Sequence, residues 1–472
     1  MIRRPLALAA LLLLPACGRA PSPPNVLLIT IDTLRADRLG CYGYGRSTSP
    51  HIDRLAAQGA LFERTYTTLP RTTQSVASIL TGRYPKSHGA RGLFSVLSPA
   101  NLTLAEILAE RGYDTAAFVS NLFLRPGQGF EQGFATYDNP QARWDGDSAS
   151  AITSAALDWL KRPRGGRPFF LWTHYLDPHW TYRPASPFDG AFDPGFAERF
   201  TLYEDLEAGL LTKGQVIFEN RLGPRQLEHV KALYDGEIAQ VDAALAGLLD
   251  YAARPELSPL LIVLTSDHGE SLGEHGYHFA HGEYLYQESL RVPLLISLPG
   301  RVPAGLRVSA LAQNVDVVPS IVALLGLHRV QASDGRPLLI RDTTKSAGSN
   351  GDWAPAPGRD IVFAESDFQL IHPENRRYYI PGPAGRWSSA FDGRYKLIQI
   401  PKPGGALLEF YDLASDPGEL RKIEDPSVGL EARRRLAGEL QRFVDYDAGV
   451  PGGPREIDPE ERRRLKSLGY IN

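Results

Sequence analysis

The sequence has little cysteine and no marked excess of charge of either sign. Its 472 residues include two cysteines, Cys17 and Cys41, and its formal net charge is −3. Two cysteines are too few for a zinc site built from thiolates. The near balance of acidic and basic residues excludes the basic surface typical of proteins that bind nucleic acid. Hydrophobic residues make up 43% of the chain, which is enough for a large core.

The chain also lacks an apolar run long enough to cross a membrane near its start. Residues 6–14 are apolar, but a helix of that length falls well short of a hydrocarbon core of ~30 Å. The run follows two arginines and ends in Leu-Pro-Ala before Cys17. This pattern resembles a bacterial lipoprotein signal, which is cleaved before a cysteine that then carries lipid. We therefore expect a signal peptide over residues 1–16 and a tether over residues 17–24.

A lipid on Cys17 would attach the protein to a membrane as an exported lipoprotein, in the periplasm, at the outer membrane or on the cell surface. Each buried CH2 group of an acyl chain adds ~0.8 kcal/mol of membrane affinity. Cys41 would then have no partner for an intramolecular disulfide. The alternative is a plain secretory signal with an incidental cysteine.

Short apolar runs alternate with helical patterns along most of the chain. Strands are predicted over residues 25–31, 114–119, 169–174 and 260–265, and helices over residues 50–59, 72–81, 102–111, 147–161 and 224–253. This alternation predicts an α/β fold with a mostly parallel central sheet flanked by helices. In such sheets, sites lie beyond the carboxyl ends of the strands, which is where Asp32 and Asp267 occur.

The last part of the chain has a different pattern. Residues 343–359 are rich in Gly, Ser, Pro and Ala, as in a linker or exposed loop. Two later segments, residues 395–398 and 409–413, have the character of antiparallel strands, and a charged helix is predicted over residues 429–445. We expect a catalytic domain over residues 25–345 and a smaller α+β subdomain over residues 346–472.

Acidic residues and a histidine follow two of the buried strands. Asp32 follows the first strand, and Asp267 and His268 follow the strand over residues 260–265. Carboxylate oxygens and imidazole nitrogens are ligands for divalent cations such as Mn²⁺, Zn²⁺ and Mg²⁺. The alternative for an aspartate at a strand end is a helix cap or a turn.

A hydroxyl residue, Thr72, stands at the start of the helix predicted over residues 72–81. The start of a helix carries the positive end of the helix dipole. That position suits both an attacking alkoxide and an incoming anion. The alternative role for Thr72 is that of a helix cap, which threonine commonly fills.

The order of these pieces resembles the sulfatase family of the alkaline phosphatase superfamily. The matching stretches are residues 25–32, 81–85, 177–179, 265–270, 275–276, 281–282, 290–294, 315–319, 411–413 and 416–419. The match extends from about residue 25 to 420. It implies an alkaline-phosphatase-like fold and a metal-dependent hydrolase that acts on an anionic ester, with no nucleic acid as partner.

The chain departs from the sulfatase pattern at the nucleophile. Sulfatases carry Cys or Ser in Cys/Ser-x-Pro-x-Arg, ten residues before the glycine of a Thr-Gly pair, and oxidise that residue to formylglycine. Here Thr72 stands ten residues before Gly82, and the proline and arginine are replaced by Gln74 and Val76. Threonine cannot yield the aldehyde. The resemblance therefore implies that Thr72 attacks directly, as in related phosphodiesterases and lipoteichoic-acid-synthase-like phosphoglycerol transferases.

Two further departures concern the metal and the anion. Sulfatases carry a second aspartate where this chain has Thr33, and a Gly-Lys-x-His segment where it has Asn121. The ligand set that the resemblance implies is Asp32, Thr72, Asp267 and His268. The ion is Mn, Zn, Mg or Ca, and the nitrogen ligand favours a transition metal.

The resemblance also implies roles for three residues around the ion. Asn121 is expected to donate a hydrogen bond to the anion, and His179 and His281 are expected to contact the substrate or protonate the leaving group. One metal site is favoured. The alternative is a second site formed by Asp177 together with these two histidines.

These observations lead to one main hypothesis and three alternatives. The main hypothesis is a hydrolase of phosphate or phosphonate esters that forms a covalent intermediate on Thr72. The alternatives are an arylsulfatase-like hydrolase without formylglycine, a phosphoglycerol-type transferase and a non-catalytic surface lipoprotein that binds its ligand. Turnover of aryl phosphodiester and aryl sulfate in parallel separates the first two.

The lipoprotein hypothesis predicts that Cys17→Ser protein incorporates no lipid, because serine lacks the thiol that carries the acyl groups. Metabolic labelling with radioactive palmitate, followed by separation of membrane and soluble fractions, measures this. Cys41→Ser protein is the matched control and should keep both the label and its membrane fraction. Persistent label on Cys17→Ser protein would contradict the hypothesis.

Overall fold

A computed structural model of the chain describes residues 23–446, except residues 140–147, 199, 201, 208–210, 212, 218, 220, 329–332, 347–350 and 368–384. The predicted signal peptide, Cys17 and most of the predicted tether lie outside the described residues, as does the end of the predicted C-terminal subdomain. In the part of the chain that is described, no helix combines the length and the apolar character needed to cross a membrane.

The described residues form strands and helices that alternate over the first two thirds of the chain. The strands are β1 (Asn25–Ile31), β2 (Ala60–Tyr66), β3 (Asp114–Val119), β4 (Thr136–Asp138), β5 (Phe169–Tyr175), β6 (Leu260–Ser266), β7 (Ser271–Leu272), β8 (His278–Ala280), β9 (Arg291–Val292), β10 (Leu294–Ser297), β11 (Leu306–Gln313), β12 (Leu339–Arg341), β13 (Trp353–Pro355), β14 (Val362–Glu365), β15 (Ser388–Phe391), β16 (Tyr395–Lys402) and β17 (Gly405–Asp412). The helices are α1 (Pro50–Ala57), α2 (Thr72–Thr81), α3 (Pro85–His88), α4 (Leu104–Ala109), α5 (Ser148–Leu160), α6 (Leu202–Glu207), α7 (Lys213–Ile217), α8 (Pro224–Ala252), α9 (Gln287–Leu290), α10 (Val317–Leu324) and α11 (Leu430–Asp445).

A nine-stranded sheet organises the described part of the chain. Its order is β11-β2-β10-β6-β1-β5-β3-β4, with β9 paired to β2. Strand β1 pairs in parallel with both β5 and β6, and five of the eight strand pairs described in this sheet are parallel. The prediction of a mostly parallel sheet is therefore confirmed. Strand β10 runs antiparallel between β2 and β6. The sequence did not predict this direction, because the apolar pattern of a four-residue strand is the same in parallel and antiparallel pairing.

Helices cover both faces of this sheet. Alternate side chains of β1 point to opposite faces, and both sets are apolar, so each face needs a layer of helices to bury it. Leu27 and Ile29 belong to a buried apolar cluster that also contains side chains of α1, α5 and α8. Val26 and Leu28 belong to a second cluster, which contains side chains of α2, α4 and α10. The central strand is thus buried on both faces, as its unbroken apolar sequence predicts.

The C-terminal strands form a separate antiparallel sheet in the order β14-β15-β16-β17. Strands β16 and β17 pair from Tyr395 with Asp412 to Lys402 with Gly405, which confirms the predicted antiparallel pair. Helix α11 packs on this sheet through Leu436 and Leu440. The domain boundary near residue 345 stays a prediction.

A buried ion pair joins the C-terminal sheet to the turn that follows it. Lys396 Nζ lies 2.6 Å from Glu419 Oε1, and both side chains are almost fully buried. The backbone N–H of Gln287 donates to Glu419 Oε2 at 2.7 Å. Glu419 therefore connects the C-terminal sheet with helix α9 of the first part of the chain.

We predict that Lys396→Met destabilises the protein by about 3–5 kcal/mol, because it leaves the buried carboxylate of Glu419 without a cation to balance its charge. The double variant Lys396→Met/Glu419→Gln should recover most of this loss. Urea unfolding followed by circular dichroism gives the free energies. Arg54→Met is the control, since Arg54 pairs with Asp250 on the exposed surface and should change little. Equal stability of wild type and Lys396→Met would contradict the prediction.

Candidate active site

Two adjacent parallel strands bring the predicted metal ligands together. Ile31, at the end of β1, pairs with Ser266, at the end of β6. The residues that follow, Asp32 and Asp267, therefore emerge side by side. With His268, their donor atoms all lie within 4.8 Å of one another, and all three residues are fully buried.

In each of the two carboxylates, one oxygen accepts hydrogen bonds from the protein and the other accepts none from the described residues. Asn121 Nδ2 donates to Asp32 Oδ2 at 2.7 Å. The backbone N–H groups of His268 and Thr33 donate to Asp267 Oδ1 at 2.8 and 3.3 Å. The other two oxygens, Asp32 Oδ1 and Asp267 Oδ2, are buried and find no hydrogen-bond partner among the described residues. Buried carboxylate oxygens in this state are typical of a cation site.

The imidazole of His268 completes the cluster. Its Nδ1–H donates to the backbone carbonyl of Gly269 at 2.9 Å, so its Nε2 carries a lone pair. This Nε2 lies 3.6 Å from Asp32 Oδ1 and 3.4 Å from Asp267 Oδ2. Donors about 2.0–2.2 Å from a tetrahedral metal lie roughly 3.3–3.6 Å apart. The spacing of the three donors therefore fits a divalent ion.

The electrostatics of the cluster agree with this geometry. Burial raises the pKa of Asp32 to about 8. Burial, with the charge of Asp32 adding to it, raises the pKa of Asp267 well above its ordinary value. Burial lowers the pKa of His268 well below its ordinary value, so its ring is neutral. Two carboxylates beside a neutral imidazole carry a charge that a divalent cation would balance.

Thr72 lies at this cluster. Its Oγ1 is 3.4 Å from Asp32 Oδ2 and 3.5 Å from His268 Nε2. Thr72 is the first residue of α2, and Arg71 is the N-cap, so Thr72 does not have the capping role considered from the sequence. Ser75 Oγ donates to the carbonyl of Asp267 at 2.6 Å, which fixes the first turn of α2 against the end of β6.

His179 and His281 line the more open side of the site. Their ring centroids are 5.1 Å apart, and the ring of His281 is 4.3 Å from that of His268. Each keeps 7% exposure, whereas the three clustered ligands have none. His281 Nδ1 contacts Glu270 Oε1 at 2.9 Å, and His179 Nδ1 contacts the carbonyl of Trp180 at 2.6 Å. These contacts direct the Nε2 atom of each ring away from its anchoring partner.

Asn121 and His174 both lie next to Asp32 Oδ2, the oxygen that accepts a hydrogen bond from the protein. Asn121 donates one amide N–H to Asp32. An amide has a second N–H, and the hydrogen bond from Asn121 to the substrate anion stays a prediction. His174 was not predicted as a site residue. It ends the strand predicted over residues 169–174, its Nε2 lies 3.5 Å from Asp32 Oδ2, and its Nδ1 lies 2.8 Å from Thr30 Oγ1. Its place at the carboxyl end of a strand beside β1 was the signal that could have revealed it.

The alternative second metal site is not assembled among the described residues. Asp177 Oδ2 accepts a hydrogen bond from Ser148 Oγ at 2.6 Å, and Asp177 does not converge with His179 and His281 on a common point.

A different group of donors, His275, Glu288 and Glu419, does converge. The ammonium of Lys396, 2.6 Å from Glu419, supplies positive charge to that group. The charge that a metal would provide there is therefore already partly present.

Comparisons with known proteins agree on one family. The family model described as Sulfatase matches residues 24–327. N-acetylglucosamine-6-O-sulfatase of Bacteroides thetaiotaomicron is 25% identical over 94% of this chain and 89% of its own length. The multifunctional alkaline phosphatase superfamily protein PehA of Trinickia caryophylli is 26% identical over 87% of this chain and 93% of its own length.

Solved structures show the same fold. The phosphonate monoester hydrolase of Agrobacterium radiobacter superimposes with a TM-score of 0.70 at 23% identity, over 92% of this chain and all of the other. BT4656 in complex with its substrate D-glucosamine-2-N,6-O-disulfate superimposes with a TM-score of 0.72 at 21% identity, over 91% of this chain and all of the other. The predicted alkaline-phosphatase-like fold is confirmed.

The raised pKa of Asp32 predicts that metal binding is linked to proton release. Below a pKa of about 8 the metal-free carboxyl is protonated, and a ligand must be ionised. We expect the apparent metal affinity to fall by about 50-fold from pH 8 to pH 6 through protonation of Asp32, with a further fall through Asp267, whose pKa is also raised. Competition with a chelator measures the affinity, and Asp32→Asn is expected to abolish tight binding. An affinity independent of pH in this range would contradict the assignment.

Proposed function

The chain belongs to the sulfatase family of the alkaline phosphatase superfamily, and from that premise we propose that it hydrolyses phosphate or phosphonate esters through a covalent intermediate on Thr72. The observation that carries the proposal is the position of Thr72 Oγ1, within 3.5 Å of both Asp32 and His268 at the start of a helix. The family supports hydrolysis of an ester, and the sequence departure at Thr72 supports the choice of nucleophile.

Asp32, Asp267 and His268 would hold the divalent ion, and Thr72 Oγ1 lies where it can be a fourth donor. When bound, such an ion lowers the pKa of a neighbouring hydroxyl and offsets negative charge on the group being transferred. The chain's own residues do the rest: they hold Thr72 in place, orient the ester and supply a proton.

The first step forms the covalent intermediate. The hydroxyl proton of Thr72 leaves to solvent, Oγ1 forms a bond to phosphorus, and the bond from phosphorus to the ester oxygen breaks. His281 or His179 donates a proton to the departing oxygen, an effect worth ~10²–10⁴-fold in rate. The contact of His281 with Glu270 at 2.9 Å stabilises positive charge on that ring before the proton is given.

The second step releases the product. The same histidine takes a proton from water, the water oxygen bonds to phosphorus, the bond from phosphorus to Thr72 Oγ1 breaks, and Oγ1 regains a proton from solvent. An acceptor alcohol in place of water would make the protein a transferase. Lipidation of Cys17 would place this chemistry at a membrane surface, as part of the same proposal.

Hydrolysis of sulfate esters is the second candidate function. It is favoured by the relatives and structures named as sulfatases. Against it stands the threonine at the position where formylglycine-dependent sulfatases carry a modifiable residue. Phosphodiesters, phosphonate monoesters and sulfate monoesters all carry one negative charge but differ in the reacting atom, so turnover of matched aryl esters distinguishes the two candidates directly.

We predict that Thr72→Ala lowers kcat by about 10³-fold or more, because no side chain remains to form the intermediate. Wild type and variant are compared on aryl phosphodiester, aryl phosphonate and aryl sulfate, after metal content is measured for both. Mass spectrometry of quenched wild-type enzyme should detect phosphorylated Thr72.

Thr73→Ala is the matched control, since the hydroxyl of Thr73 donates to the carbonyl of Leu93 at 2.9 Å and has no role in the proposed chemistry. It should keep near wild-type activity. Full activity of Thr72→Ala with its metal retained would refute the proposed nucleophile. A higher kcat/KM for aryl sulfate than for both phosphorus esters would favour the second candidate.

A further inference from the structure

Arg71 is a buried arginine beside the nucleophile, and its bonding capacity is largely unused. It immediately precedes Thr72, and its side chain is 7% exposed. Among the described residues, its Nε has no hydrogen-bond acceptor. Its ion pair with Asp367 is loose, with 3.5 Å between Nε and Oδ2. A buried guanidinium has five N–H donors to satisfy, so this arrangement points to an anionic ligand.

The guanidinium of Arg71 lies against the loop that carries His281. A Cβ atom added to Gly282 would lie 2.3–2.4 Å from Nη2, Cζ and Nε of Arg71. The planar group therefore packs directly on the backbone of Gly282, in a space that only glycine leaves. His281 is the preceding residue, and its ring lies 4.3 Å from that of His268. Arg71 thus immediately precedes the nucleophile in sequence, and its guanidinium packs on the residue that follows the proposed proton donor.

Asp367 is fixed in the same place by the same loop. Its backbone N–H donates to the carbonyl of Gly282 at 2.9 Å, and its side chain is 2% exposed. Its negative charge offsets part of the charge of Arg71 without forming the close, two-bonded pair that arginine and a carboxylate adopt at full strength. The guanidinium therefore keeps donors for another anion.

We propose that Arg71 binds the non-bridging oxygens of the ester, and that Asp367 restricts the site to esters of single negative charge. Such esters are phosphodiesters, phosphonate monoesters and sulfate monoesters. A phosphate monoester with two charges would meet added repulsion from Asp367. This inference rests on the proposed function, because it assigns the substrate class of the same site.

Binding of two small anions tests the inference without requiring turnover. Dimethyl phosphate carries one charge, and methyl phosphate carries two at pH 8, since its second pKa is about 6. Each is titrated by calorimetry into full-length, metal-loaded Thr72→Ala protein, which keeps Arg71 and Asp367. We expect dimethyl phosphate to bind at least tenfold more tightly than methyl phosphate.

Substitutions at the two residues then give separate expectations. Arg71→Met should weaken dimethyl phosphate binding by about 10–100-fold, as expected for lost charge-assisted hydrogen bonds. Arg71→Lys should cause a smaller loss, because it keeps the charge without the planar fork. Asp367→Asn should raise the affinity for methyl phosphate relative to dimethyl phosphate by at least tenfold. Arg54→Met, at a surface arginine, is the matched control and should change neither affinity.

Three results would overturn the inference. The first is dimethyl phosphate affinity within twofold of the parent in both Arg71→Met and Arg71→Lys. The second is equal weakening of both anions by Asp367→Asn, which would make that residue only a support for Arg71. The third is preference of the parent protein for methyl phosphate. If Arg71→Met fails to fold, Arg71→Lys and Asp367→Asn decide the result alone.

A failure of the Arg71 and Asp367 inference can be distinguished from a failure of the proposed function. Failure of wild-type protein to turn over any ester, or rapid cleavage of dimethyl phosphate by Thr72→Ala protein, would refute the proposed chemistry. Neither observation depends on how Arg71 and Asp367 affect anion affinity.

Discussion

Two carboxylates buried at the ends of neighbouring strands dominate the chemistry of this protein. In the described part of the chain, Asp32 and Asp267 each keep one oxygen without a hydrogen bond, and burial raises the pKa of both. Leaving such groups uncompensated costs several kcal/mol per charge. A divalent cation, held with the lone pair of His268, would remove this cost. Several neighbouring groups orient the three side chains for that role, among them the Asn121 amide, the Thr33 N–H and the Gly269 carbonyl.

The orienting groups come mainly from backbone and neutral side chains. Thr33 stands where sulfatases carry a second aspartate, and its backbone N–H rather than its side chain contacts Asp267. Thr33 adopts a positive φ of 54°, a conformation that costs a threonine of order 1–3 kcal/mol. Tyr234 holds it there by donating its hydroxyl to the Thr33 carbonyl at 2.8 Å. The strained backbone of Thr33 thus places its N–H where it orients the carboxylate of Asp267.

The C-terminal part of the chain contributes to the site as well as to stability. Asp367 follows β14 and reaches Arg71 and Gly282 near the nucleophile, while Glu419 connects Lys396 with helix α9. Both are buried acidic residues paired with cations from other segments. The first part of the chain and the smaller antiparallel sheet are therefore joined by the ion pair of Arg71 with Asp367 and by the hydrogen bond from the Gln287 N–H to Glu419. The ion pair lies beside the proposed substrate anion.

The sequence alone determined the α/β fold and the meeting of Asp32, Asp267 and His268, because buried strands have a clear apolar pattern and parallel strands end at the same edge. It also determined that Thr72 cannot become formylglycine, which is a matter of side-chain chemistry. Tertiary structure alone decided the antiparallel β10 and the contacts of His174, Arg71 and Asp367. These features depend on strand direction and on contacts between residues up to about three hundred positions apart in the sequence. The local pattern of apolar and polar residues does not specify which distant residues meet.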